Sequence, residues 1–345
     1  MINIIKKSNW KHITIPSPKI NFIEWAKSKG GVNIIVDDVN YQFSTDQELE
    51  ALLMNLNPSF KGPESCFISV NEMKSIFVKS KDRVEKIKLL NGNIWDKEEL
   101  LKKMYDDSFY YGELGKYALS SSAIKQLFDS PKMYQRSLNF KSDSGAFKTG
   151  RLIHLAALEP DKLDTLCHIV EVQSAVAKAY KDKVKEVGSS QFVYTRKDYD
   201  KAMYTVDALL QNDVWQELTR GAQFEKPAFD ILHGYPFRAK ADVLGSDYVA
   251  DLKTTTDLKG FKWAAKKYSY DVQLYIYCNL FNIDWKDFKF FVIDKSSGDL
   301  GIYDVEKSFY ESGKYKLEKG IEVFETYFVN MQEDLNSYVI RDTLE

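Results

Sequence analysis

Asp242, Asp251 and Lys253 stand within one stretch, RAKADVLGSDYVADLKTTT, running from Arg238 to Thr256. Side chains alternate across a β-strand, so Asp251 and Lys253 share a face while Leu252 takes the other. A carboxylate and an ammonium buried side by side are costly unless they hold something, such as a metal ion and a reacting phosphate. Asp242 falls on the preceding strand, and a short turn brings it beside Asp251. Two carboxylates in register on adjacent strands make an oxygen-rich pocket suited to Mg²⁺, with Mn²⁺ as a substitute. Such an ion takes few protein ligands and completes its shell with water and phosphate oxygens. Lys253 then stands where it can stabilise a pentavalent phosphoryl transition state or orient an attacking water. An isolated D-x-K is commonly an internal salt bridge; a second aspartate on the neighbouring strand favours the chemical reading.

More polar groups belong to flanking elements. His154 lies in an apolar helix and is either a core histidine or, as neutral imidazole, a metal ligand if that helix crosses the strand ends. Glu225 opens the first strand and is either a third carboxylate or an edge charge. Gln273 and Tyr277, four residues apart, share one helix face, which is either wet or turned to the site. Lys259, Lys262, Lys266 and Lys267 alternate with Phe261, Trp263, Tyr268 and Tyr270. That pattern fits a solvated face or a surface that tracks phosphates.

The elements that must position these groups follow from periodicity. Ser120–Ser122 can cap a helix through Ile124, Leu127 and Phe128, which Ser130-Pro131 interrupts. A second helix runs from near Gly145 to Glu159-Pro160, and its centre, LIHLAAL, is apolar on nearly every side and therefore buried. Residues 167–222 read as polar helices of insertion-like composition. Three strands are expected at 224–232, 237–244 and 248–255, joined by short turns at HGYP and GSD. A helix over about 259–280, strands at 288–293 and 301–305, and a closing helix over about 309–332 complete the order. The expected fold is α/β, with a core of helix, three-strand mixed sheet, helix and strand.

Residues 1–110 read as a separate small α/β domain with no chemical motif, and 111–345 as the domain that carries the site. In the first, VNIIV (32–36) and CFISV (66–70) have the composition of buried strands, with helices over 45–55 and 71–77 and a strand near 84–89. The boundary is placed in DDSFYYGELGKYAL (106–119), which has two glycines and no clear period.

Composition narrows the alternatives. The 345 residues allow two domains, and 44% hydrophobic with 28% charged residues describes a globular chain. A formal net charge of -2 leaves any nucleic-acid surface to local basic clustering. The 3 cysteines form no C-x-x-C pair, which argues against structural zinc and iron–sulfur sites. Phosphate-loop, G-x-S-x-G and H-E-x-x-H motifs are absent, and 4 histidines are too few for His-rich metal sites. With neither a signal-peptide pattern nor an apolar run of spanning length, a cytoplasmic protein without membrane contact is expected.

Six segments in order resemble the RecE-type exodeoxyribonucleases, phage and prophage recombination enzymes of the PD-(D/E)xK superfamily. They are LSSSAIKQLFDSPKMY (119–134), GRLIHLAALEP (150–160), Glu225 opening a strand, R-x-K-A-D (238–242), D-L-K-T-T-x-D (251–257) and Y-x-x-Q-x-x-x-Y (270–277). The resemblance covers roughly residues 107–300. It implies a restriction-endonuclease-like fold, metal ligation by His154, Asp242 and Asp251, and Lys253 as catalytic lysine. Glu225, Gln273 and Tyr277 would support the site or touch the DNA strand. Arg238, Lys240, Lys262 and Lys266 are the expected DNA-phosphate contacts. Ala241 and Lys240 depart from the family's usual Pro and Arg without removing a ligand. The implied activity is Mg²⁺-dependent degradation of linear duplex DNA from its ends, 5′ to 3′, leaving single strands for recombination. A ring-shaped homo-oligomer and a single-strand annealing partner are implied as well. A PD-(D/E)xK endonuclease and a non-catalytic DNA-binding module of the same fold are the competing readings.

Overall fold

The computed structural model describes residues 2–6, 11–15, 19–21, 32–36, 39–43, 67–69, 86–139 and 145–340, with side chains for 86–138 and 148–340. The chain divides into two compact units, Met1–Glu85 and Lys86–Glu345. In the first, Ile2–Lys6, Lys11–Ile15, Val32–Val36 and Val39–Phe43 form an antiparallel sheet, with Ile2–Lys6 paired to both Lys11–Ile15 and Val32–Val36. Lys19–Asn21 pairs with Phe67–Ser69. The strands expected at 32–36 and 66–70 are present; the helices expected over 45–55 and 71–77 lie outside the described residues.

The division falls at 85/86, whereas the sequence reading put it near 110. Residues 86–110 belong to the larger unit, where their apolar side chains are buried. Ile87, Leu89, Leu100, Met104, Phe109, Tyr110 and Leu114 form one cluster with Phe229 of the central sheet. The stretch read as irregular is helical: a π-turn over Phe109–Glu113 runs into a short helix, Leu114–Tyr117. The wide π-turn puts Phe109, Tyr110 and Leu114 into the cluster together, a spacing that no 3.6-residue period would reveal.

The sheet of the larger unit has five strands in chain order: β1 (Gln223–Leu232), β2 (Tyr235–Leu244), β3 (Val249–Thr255), β4 (Phe288–Asp294) and β5 (Leu300–Asp304). β3 and β4 are parallel and every other pair is antiparallel. His233 and Gly234, with φ 50 and 83, make the tight β1–β2 turn, whose mirror-image geometry matches strand twist. The parallel β3–β4 pair needs a crossover, supplied by α4 (Phe261–Lys267) and α5 (Tyr270–Leu280). The sequence predicts one helix here; the structure breaks it at Ser269, whose φ of 51 turns the chain and redirects α5.

Alternation along β4 builds a core on each side of the sheet. Phe290 and Val292 pack with α1 (Ser121–Asp129), α5 and α6 (Lys307–Phe324), while Phe291 and Ile293 pack with α2 (Gly145–Leu158) and α3 (Arg196–Leu210). Ser120 caps α1 as expected, accepting from the Ala123 amide at 3.4 Å. Residues 167–222 hold helices as expected, plus two short parallel strands, His168–Val170 and Val193–Thr195. This is the mixed sheet between helices of a restriction-endonuclease-like core. No helix among the described residues is long and apolar enough to cross a membrane.

Candidate active site

β2 and β3 pair only at Val243–Ala250 and Leu244–Val249. Beyond that point the strands part, and β2 meets the Leu119 backbone instead, through Leu119 N–H to Pro236 O at 2.8 Å and Arg238 N–H to Leu119 O at 2.9 Å. Asp242 and Asp251 are the next residues on each strand, so they flank the opening of a wedge. The Asp242 carboxylate bridges it by accepting from the Leu252 amide at 2.7 Å. The two aspartates thus face each other because the ladder ends between them.

A carboxylate cluster forms at this opening. One ligand atom from each of His154, Glu225 and Asp242 lies within 4.8 Å of the others. His154 comes from buried α2, with Nδ1 at 3.5 Å from Asp242 Oδ2. Glu225 comes from β1, opposite Asp242 in the register that pairs Phe224 with Val243 and Lys226 with Ala241. Its φ of 49 interrupts that ladder. Asp251 is not in the triplet; its two oxygens are taken by the Lys253 ammonium and the Gln273 amide. One turn along α5, Tyr277 donates to the Lys240 carbonyl at 2.7 Å and ties the helix to β2. Of the expected ligands, then, His154 and Asp242 sit together, Glu225 joins them, and Asp251 stands alongside in a bridge to Lys253.

Electrostatics fit a cation here. Burial raises the Asp242 carboxyl well above its ordinary range, and repulsion from Asp251 and Glu225 adds to this. Glu225 is pushed up to about 7 by burial, against the pull of Lys240. Burial, with help from Lys253, pushes His154 down to about 4, so its imidazole is neutral at physiological pH, the form that ligates metals. Burial pulls the Lys253 amine down, but Asp251 and Asp242 outweigh it and hold the ammonium above its ordinary value. Crowded carboxylates with a neutral imidazole are a donor set that a divalent cation would relieve.

Two expected phosphate contacts are placed otherwise. Arg238 is 9% exposed and stacks its guanidinium 4.4 Å from the Tyr110 ring centroid. Lys240 is 5% exposed, with Nζ 2.6 Å from Asp107 and 3.8 Å from Glu225. Neither presents a free cation to a passing strand, because the segment 106–119, where the sequence reading placed the domain boundary, folds over them. Lys262 and Lys266 do remain exposed, on either side of exposed Trp263, at 5.3 and 5.5 Å from its ring. Sequence reasoning assigned no role to Asp107, which joins Lys240 and Lys162. Its only signal was a carboxylate in a segment too aromatic to be a plain linker.

The profile of a PDDEXK-like domain of unknown function (DUF3799) matches residues 120–333. The chain belongs to this family. The match starts at the cap of α1 and ends beyond α6, so it takes in the whole sheet and every residue of the cluster. DUF3799 membership and the observed mixed sheet agree on a PDDEXK core. Among solved structures, the chain is similar to a putative exonuclease from Eubacterium rectale, at 14% identity and TM-score 0.49, over 70% of this chain and 95% of that one. It is also similar to the protein SSO0001, at 16% identity and TM-score 0.26, over 59% and 85% of the two chains. No curated protein matches.

Proposed function

We propose that this DUF3799 protein is a divalent-metal-dependent exodeoxyribonuclease that degrades linear duplex DNA from its ends, in the manner of RecE-type enzymes. The observation that carries the reading is the His154–Glu225–Asp242 triplet beside the Asp251–Lys253 pair at the β2–β3 wedge. His154, Glu225 and Asp242, with Asp251 adjacent, would hold Mg²⁺ or Mn²⁺. Such an ion, when bound, lowers the pKa of water and neutralises charge on phosphoryl oxygens. Lys253 sets its ammonium at the same opening, where it stabilises negative charge gathering on the scissile phosphate. Gln273 fixes the Asp251 carboxylate, and Tyr277 holds α5 against β2 so that Gln273 keeps its aim. Digestion from the 5′ end, a ring-shaped homo-oligomer and an annealing-protein partner belong to the same proposal and rest on the sequence resemblance.

The test is digestion of end-labelled linear duplex beside a covalently closed circle, with Mg²⁺ or with EDTA. Mononucleotide release from the linear substrate alone, only with Mg²⁺, is expected, and the labelled end reports polarity. Cleavage of the circle would establish an endonuclease instead. Inertness on both, with DNA still bound, would leave a non-catalytic DNA-binding module.

A further inference from the structure

Lys125 occupies the second turn of α1, within the helix start that resembles the RecE-type pattern, and no role attaches to it there. Its Nζ lies 4.9 Å from the centroid of the Tyr270 ring, and Lys253 Nζ lies 4.8 Å from the same centroid. Two ammonium groups from different elements therefore meet on one aromatic side chain at the edge of the wedge. The charged groups facing Lys125 are Lys253 and Asp251 of β3, Asp271 of α5 and Lys316 of α6. Both carboxylates are already engaged. Asp251 is bound by Lys253 and Gln273. Asp271 accepts from Ser312 at 2.6 Å and pairs with Lys316 at 2.8 Å. Among the described residues no carboxylate is hydrogen-bonded to Lys125; the Tyr270 ring is the contact its amine makes.

Lys125, Lys253 and Lys316 are thus three amines facing two carboxylates, Asp251 and Asp271, and Lys125 is the one with no carboxylate hydrogen-bonded to it among the described residues. A cation–π contact offsets only part of the desolvation of an ammonium. The matching anion has to come from outside, and at this opening a phosphodiester is the ligand of that chemistry. We propose that Lys125 is a substrate-positioning residue that grips a backbone phosphate of the bound DNA strand beside the one served by Lys253. The inference rests on the nuclease reading above and goes further by naming a second phosphate subsite. Burial and the Lys253 charge push the Lys125 amine down to about 7, consistent with a group that gains full charge when an anion arrives.

The test compares wild type, Lys125→Met and Lys125→Arg in the full chain. DNA affinity is measured with Ca²⁺ in place of Mg²⁺ over a salt series, and kcat and KM with Mg²⁺, on the same linear duplex. Lys125→Met keeps an unbranched side chain of similar length in place and removes the charge over Tyr270. The expected result is roughly tenfold weaker binding and a raised KM with kcat little changed, as loss of one charge-assisted contact requires. The slope of log affinity against log salt should shrink by about 0.9, one phosphate contact. Lys125→Arg should restore both. Wild-type affinity and slope in Lys125→Met would overturn the proposal, as would a loss that Lys125→Arg fails to rescue together with a lowered melting temperature. If wild type itself neither binds nor cleaves DNA, the nuclease reading falls and this inference with it, an outcome distinct from an unaffected variant of an active enzyme.

Discussion

Replacing Glu225 with Gln should make the metal-free protein more stable while removing a candidate ligand. Glu225 has its carboxyl raised from an ordinary 4.5 to about 7, chiefly by burial. The folded state therefore binds this proton more tightly than the unfolded chain does. Below about pH 4.5 both states are protonated and there is no penalty. The penalty grows as pH rises towards 7 and is complete above it, where the shift amounts to about 3 kcal/mol. Gln is neutral throughout and escapes it. That penalty already includes the pull of Lys240, 3.8 Å away, which keeps Asp107 at 2.6 Å in the variant. Allowing about 1 kcal/mol for the poorer fit of an amide in the carboxyl's place leaves a net gain of roughly 2 kcal/mol at pH 8. For a unit of this size the melting temperature should rise by roughly 4–8 °C. Melting in EDTA from pH 5 to pH 8 checks it: wild type should lose stability across the range, and Glu225→Gln should lose less. Saturating Mg²⁺ should stabilise wild type more than the variant, narrowing or reversing the difference. A variant that melts at or below wild type at pH 8 in EDTA would refute the claim that crowded carboxylates destabilise the protein in EDTA.

Asp251→Asn should abolish Mg²⁺-dependent cleavage while leaving the circular dichroism spectrum and melting cooperativity intact, since Gln273 can still bond the amide. Lys253→Met should lower kcat by orders of magnitude and DNA affinity much less; equal losses would mark a simple phosphate-binding lysine. The double change Lys262→Ala and Lys266→Ala should weaken DNA binding and reduce the salt slope by about 2, without touching the kcat measured at saturating DNA. Gly313→Ala should destabilise the larger unit markedly in a denaturant melt. A Cβ there would overlap the Asp271 carbonyl oxygen, so α5 and α6 would be forced apart.

The carboxylates and the lysine were legible in the sequence because a strand fixes the direction of alternate side chains. D-x-K on β3 implies a shared face whatever surrounds it, and a short turn after β2 delivers Asp242 opposite. Order and type of the core elements were legible for the same reason: β1 to β5 carry clear strand patterns, α1 has its cap, and α2 its apolar centre. What periodicity does not encode is where a ladder stops. The parting of β2 from β3 after Val243 depends on Leu119 competing for the far half of β2, a partner more than a hundred residues away in the chain. Glu225 joins His154 and Asp242 through its own break in the β1–β2 ladder, and Asp251 is held by Lys253 and Gln273. Exposure was equally out of reach. Arg238 and Lys240 are phosphate contacts expected from the sequence reading, but the π-turn over Phe109–Glu113 buries them beneath Tyr110 and Tyr111. Local spacing decides which way a side chain points on its own strand; which charges stay free for a substrate is decided by long-range packing, because only the folded chain determines who neutralises whom.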